Sequence, residues 1–166
     1  MLRPILTYPH EILRGQAKDV ETLDGGLISL AEDMAETMYL SRGIGLAAPQ
    51  VGAPLRIIVA DIGDHLIELY NPKIVSAEDI YVSQEGCLSV PEVLLEIERA
   101  EKIVVEAVDR EGKKLTIEAE DILARVIQHE IDHLNGTLII DRISRFQRQL
   151  ISGKLKRLRW EYEDKT

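Results

Sequence analysis

The stretch Asp121-Ile-Leu-Ala-Arg-Val-Ile-Gln-His-Glu-Ile-Asp-His-Leu-Asn-Gly136 decides how this chain is read. Its centre, Gln128 to His133, carries the pattern HExxH inside a run that reads as a helix ended by Gly136. Residues four apart on a helix stand one above the other, so His129 and His133 can offer two imidazole nitrogens to one metal ion. Glu130 lies about 100° around the helix from His129. From there it reaches a water at that ion without being a ligand. Two ligands and one base on one rigid element are the mechanical content of the motif.

A catalytic site of the zinc type usually has three protein ligands and one open position. The longer pattern HExxHxxGxxH would place a third histidine at Ile139, which cannot coordinate. Glu161 and Glu163 are the only glutamates beyond the helix, and they sit near the C-terminus, where chains fray. Cys87 remains, in Glu85-Gly-Cys-Leu-Ser89. As the only cysteine it can form no internal disulfide. The ordinary role of such a residue is a small buried hydrophobe. Beside a reactive centre, however, an unused thiol would be an oxidation hazard, and a thiolate next to a glycine on a strand can approach a helix closely.

Further upstream comes Arg42-Gly-Ile-Gly-Leu-Ala-Ala-Pro-Gln50. Gly43, Gly45 and Ala48 fit GxGxxA, but a dinucleotide fingerprint needs a strand before it and a helix after it. Here a helical pattern precedes and Pro49 follows. Glycines at 43 and 45 also let backbone come close to a ligand. Gln50 adds a neutral group that can donate or accept. The plainer alternative is a tight loop with a solvated glutamine.

The rest of the chain supplies a frame. Residues 1–24 read as an extended lead-in with a helical turn near Glu11–Arg14. Leu27, Leu30, Ala31, Met34, Ala35 and Met38 recur at helical spacing and predict an amphipathic helix with a core-facing stripe. Strands are predicted at 55–60 and 66–70, with short pieces at 74–75 and 80–82. A hairpin is predicted from 103–108 and 114–119, one face of it wet. A second long helix is predicted over about 144–162, with Phe146, Leu150, Leu155 and Leu158 towards the protein. The expected fold class is α+β: mostly antiparallel sheets packed around a central HExxH helix, with an N-terminal helix and a long C-terminal helix.

At 166 residues the chain suits a single domain, 1–166. No apolar run approaches the ~20 residues that span a bilayer, and the first residues lack the pattern of a signal peptide. A cytoplasmic location and no membrane partner are therefore expected. A net charge of −9 argues against DNA binding by the whole molecule. The charge is uneven, since residues 142–159 hold seven Lys or Arg and no acid. That strip suits a polyanion, or is simply a solvated helix face.

Gly43-Ile-Gly-Leu-Ala-Ala-Pro-Gln50, Glu85-Gly-Cys-Leu-Ser89 and Gln128-His-Glu-Ile-Asp-His133, in that order, resemble the three motifs of the peptide deformylases, in the bacterial form without insertions. The resemblance covers essentially the whole chain. It implies removal of the formyl group from the N-formylmethionine of new polypeptides, with release of formate. It implies Cys87, His129 and His133 as ligands of one divalent ion, natively Fe(2+), with Zn(2+), Ni(2+) or Co(2+) able to substitute. Glu130 becomes the catalytic base, and Gln50 with the Leu88 backbone N–H the donors to the oxyanion. Gly43, Ile44, Gly45, Val126 and Ile122 are the expected substrate-binding residues, with Val126, Ile122 and Ile44 around the methionine side chain. One departure touches substrate preference: Leu94 stands where the family often has an arginine.

Arg125 is expected at the rim, and Asp132 with Arg99 is expected to steady the helix as a pair. A thermolysin-type endopeptidase would use Glu161 or Glu163 in place of Cys87. A non-catalytic binding module would close the metal site with four protein ligands, with His65 the remaining candidate, although His65 reads as a surface residue.

Overall fold

The computed structural model describes residues 1–166. After an extended lead-in and a single 3-10 turn at Glu11–Arg14, the first helix, α1, runs Gly25–Leu40, capped by the Asp24 carboxylate on the Leu27 N–H. Five strands follow: β1 Gly45–Ala47, β2 Ile57–Ala60, β3 Ile67–Cys87, β4 Val90–Val108 and β5 Lys114–Glu120. Helix α2, Asp121–Leu134, carries HExxH, and α3 Arg145–Leu150 and α4 Ser152–Lys165 complete the chain. All strands belong to one antiparallel sheet in the order β1-β2-β3-β4-β5. The fold is α+β.

The sheet curls around α2, which packs on β1, β2, β4 and β5. One face of α2 is apolar at helical spacing: Ala124, Ile127, Ile131 and Leu134 bury against Ala47, Ile58, Leu69, Ile103, Val105 and Ala119. On α1, Leu30, Ala31, Met34 and Met38 bury against Leu46, Ile57, Val59 and Tyr70, as the periodicity predicts. A third cluster joins Leu155 and Leu158 of α4 to Val90, Val93, Leu95, Ile97 and Leu138–Ile140. Gly136 ends the α2 region at φ +74, and a Cβ there would lie 2.5 Å from the Arg14 carbonyl oxygen. Glycine is thus required both by conformation and by the close approach of the lead-in.

Three expectations are corrected. The short pieces at 74–75 and 80–82 are parts of one strand, β3, that stays paired with β4 through three register shifts. Its outer half is largely exposed, so backbone pairing and not apolar alternation sustains it. The C-terminal helix breaks at Ile151 (φ −103, ψ 4), ahead of Ser152-Gly153, two poor helix formers. With that break, Phe146 and Leu150 stay 68% and 70% exposed, and only Leu155 and Leu158 face inward. Finally, the Gly43–Gln50 stretch is not only a loop: β1 starts within it and a 3-10 turn covers Ala48–Val51. An antiparallel strand followed by a single turn excludes the dinucleotide-binding reading.

Candidate active site

Cys87 is the last residue of β3, and Leu88-Ser89 turn the chain into β4. Cys87 pairs with Val90 while Gly86 pairs with Leu94, so Pro91, Glu92 and Val93 loop out of the ladder between them. That bulge aims the strand end at α2. The Cys87 Sγ lies 3.3 Å from His133 Nε2. One donor atom each from Cys87, His129 and His133 falls within 4.8 Å of the others. The two imidazole rings stand edge to face, 5.1 Å between centroids. A thiolate and two imidazoles so placed suit a borderline divalent ion such as Zn(2+), Fe(2+), Ni(2+) or Co(2+). Neutral imidazole is the coordinating form. Burial, and then the charges of His129 and Arg99, hold His133 well below the ordinary histidine pKa.

Glu85 is the functional residue that motif reading missed. Two residues before Cys87, it shares the strand face of the thiol. Its Oε1 accepts from His129 Nδ1 at 2.9 Å, which leaves His129 Nε2 free to coordinate. Arg99 grips both oxygens at 2.7 and 2.9 Å. Burial alone would raise the Glu85 pKa, but the hydrogen bonds from His129 and Arg99 outweigh it and hold the carboxyl at about 2. Arg99 also donates to Asp132 at 2.9 Å, the pair expected from sequence, and Arg142 joins it on the same carboxylate. Removing one partner of such a buried pair typically costs about 3–5 kcal/mol. The signal available in the sequence was spacing alone: an acid two residues before the cysteine shares its face on a strand.

Glu130 is 4% exposed. Its Oε2 is buried and bonded to no group of the protein, and burial pushes its carboxyl up to about 7. An acid poised near neutrality with a free oxygen can take up and give back a proton. Gln50 is 1% exposed, and its orientation is fixed from three sides. Its Oε1 accepts from the Ala47 N–H at 2.9 Å, and its Nε2 donates to Ser89 Oγ at 3.0 Å and faces Cys87 Sγ at 3.9 Å. The second amide hydrogen therefore points into the site. The Leu88 N–H, in the turn, donates to no group of the chain.

These groups line a cleft of about 830 Å³. Gly43, Ile44, Gly45, Val126 and Ile122 line it as well, with Leu94 and Pro91 at the outer side. Ile122 is 53% exposed, so it is a cleft residue and not core. Gly45 has a further duty: a Cβ there would lie 2.7 Å from Glu130 Oε1 and 2.8 Å from Val126 Cγ1. Arg125, expected at the rim, is instead buried against Glu85 and Tyr81, because a buried carboxylate draws in cations. None of the alternative ligands, Glu161, Glu163 and His65, joins the cluster. Glu161 pairs with Arg157 on α4, and His65 is exposed beside Asp64. No helix is long and apolar enough to cross a membrane.

Residues 2–149 match the polypeptide deformylase family. The peptide deformylase of Caldicellulosiruptor bescii is 54% identical over 145 residues, 87% of this chain and 87% of that protein. The peptide deformylase of Desulfosudis oleivorans is 47% identical over 167 aligned positions, covering 96% of each. The crystal structure of a peptide deformylase from Legionella pneumophila superposes with a TM-score of 0.91 at 45% identity, covering 98% of both chains.

Proposed function

The chain belongs to the peptide deformylase family of enzymes, and from that premise we propose that it hydrolyses the formyl group from the N-formylmethionine of newly made polypeptides, releasing formate, with one divalent ion. The observation that carries this reading is the convergence of Cys87, His129 and His133 within 4.8 Å beside a buried Glu130 with a free oxygen.

Cys87, His129 and His133 would hold the ion, which would supply Lewis acidity toward the formyl carbonyl and lower the pKa of water. Glu130 accepts the proton of the attacking water and then returns it to the methionine nitrogen as formate leaves. Gln50 Nε2 and the Leu88 N–H donate to the formyl oxygen as negative charge grows on it. Glu85 keeps His129 in the coordinating tautomer. Ile44, Val126 and Ile122 offer an apolar wall for the methionine side chain, and Gly43 and Gly45 let the peptide backbone lie close. Leu94, 64% exposed, presents an apolar side chain to the cleft.

The 166 residues act as one domain in the cytoplasm, with Fe(2+) as the native ion and Zn(2+), Ni(2+) or Co(2+) able to replace it. Soft and borderline ligands together admit all four. Stripping the protein with a chelator and reloading it without oxygen tests the reading. Formate release from a formyl-methionyl peptide should vanish on stripping and return with Fe(2+) or Ni(2+). Air should then inactivate the iron form faster than the nickel form. Undiminished turnover by metal-free protein would contradict the reading.

A docking role for the C-terminal segment rests on a separate observation. All seven basic residues from Arg142 to Arg159 are exposed on or beside α3 and α4. They offer phosphate contacts to the ribosome, where formylated chains emerge.

A further inference from the structure

Arg125 is neither ligand nor base, yet it is only 7% exposed and spends its guanidinium on both strands of the β3–β4 arm. Nε donates to Tyr81 Oη at 3.3 Å and Nη2 to the Tyr81 carbonyl at 3.1 Å. Nη1 donates to the Ile97 carbonyl at 3.0 Å and to Glu85 Oε2. The guanidinium plane also lies over the Tyr81 ring, 4.5 Å from its centroid. A single side chain of α2 is thereby fastened to β3 and to β4.

The ligand set is divided along the same seam. Cys87 comes from β3, and His129 and His133 come from α2. Arg125 stands four residues before His129, one turn away on the same helix face. Glu85 lies between them, taking Arg125 on Oε2 and His129 on Oε1. Without Arg125 the carboxylate would keep Arg99 and His129 but lose its second contact to α2.

We infer that Arg125 is a positioning residue: through Glu85 it fixes the His129 ring, and through Tyr81 and Ile97 it holds the Cys87 end of β3 at ligand distance from α2, so that it sets how tightly the three donors grip their ion. This rests on the metal-site reading given above. Charge alone does not do it, because the role needs a planar fork with several donors. A lysine presents a point charge and cannot reach Glu85, Ile97 and Tyr81 at once.

The test uses the full chain loaded with Co(2+), whose thiolate-to-metal absorption reports Cys87 ligation, and chelator competition for affinity. Arg125→Met should weaken Co(2+) affinity by about 10- to 100-fold, the usual range for partners of metal ligands. The thiolate band should shift or weaken with it. Arg125→Lys should recover only part of the loss. Tyr81→Leu, which leaves Glu85 paired but removes the ring and hydroxyl that brace Arg125, should move affinity in the same direction by less, and it decides the matter if Arg125→Met does not fold. Leu30→Ala, in the α1 cluster that contains none of the three ligands, should lower stability while leaving Co(2+) affinity unchanged. Wild-type affinity and an unshifted band in folded Arg125→Met would overturn the inference. So would an equal loss of affinity in Leu30→Ala. If the wild-type chain itself takes up no Co(2+), the metal-site reading has failed instead.

Discussion

The smallest decisive feature is a missing methyl group. Gly45 sits where β1 passes α2, and a Cβ would press on Glu130 Oε1 at 2.7 Å and on Val126 Cγ1 at 2.8 Å. Both partners are buried, so neither can swing away freely. Gly45→Ala is therefore expected to displace the Glu130 carboxylate. Its kcat on a formyl-methionyl peptide should fall by tenfold or more, since a small misplacement of a catalytic group can cost about 10²-fold. Ion content should stay at the wild-type level, because Glu130 is not a ligand. Unchanged kcat would mean that Glu130 tolerates the shift. Gln50 shows the same economy: its Oε1 and one amide hydrogen are committed to Ala47 and Ser89, so the remaining hydrogen has one direction left.

At the scale of elements, local pattern was legible where one face is buried and the other wet. The α1 stripe, the HExxH helix and the alternation in β5 all follow from periodicity, and the structure places them accordingly. What periodicity does not carry is long-range pairing. The outer half of β3, with Ser76, Glu78 and Asp79 exposed, has no apolar alternation, yet it runs unbroken because β4 supplies hydrogen bonds along its length. The break at Ile151 leaves only a weak local trace, Ser152-Gly153, which a reading by apolar periodicity passes over. Cys87, His129 and His133 were legible as candidates because each stands in a local motif, HExxH or the cysteine stretch, and the fold brings the three together. Glu85 and the burial of Arg125 were not, because they depend on which strand meets α2. A charged residue reads as solvated until the carboxylate that captures it is seen.

For the molecule as a whole, charge is segregated: the chain carries −9 overall, yet Arg142, Arg145, Arg148, Lys154, Lys156, Arg157 and Arg159 gather on one exposed segment. Arg142, Arg148 and Arg157 also pair with Asp132, Asp141 and Glu92, which spends part of that charge within the protein. If the segment docks on ribosomes, binding should weaken steeply between low and high salt. It should also weaken when Lys154 and Lys156 are both changed to Gln, with turnover on short peptides unaltered. Salt-independent binding would leave the strip a solvated face. The central claim is that Cys87, His129 and His133 hold the ion while Glu130 moves the proton. It is tested most directly by comparing formate release from ion-loaded wild-type protein and ion-loaded Glu130→Gln at equal metal content. Glutamine keeps the shape but cannot carry the proton, so turnover should drop by about 10²–10⁴-fold. Full deformylation by the ion-loaded variant would contradict the account.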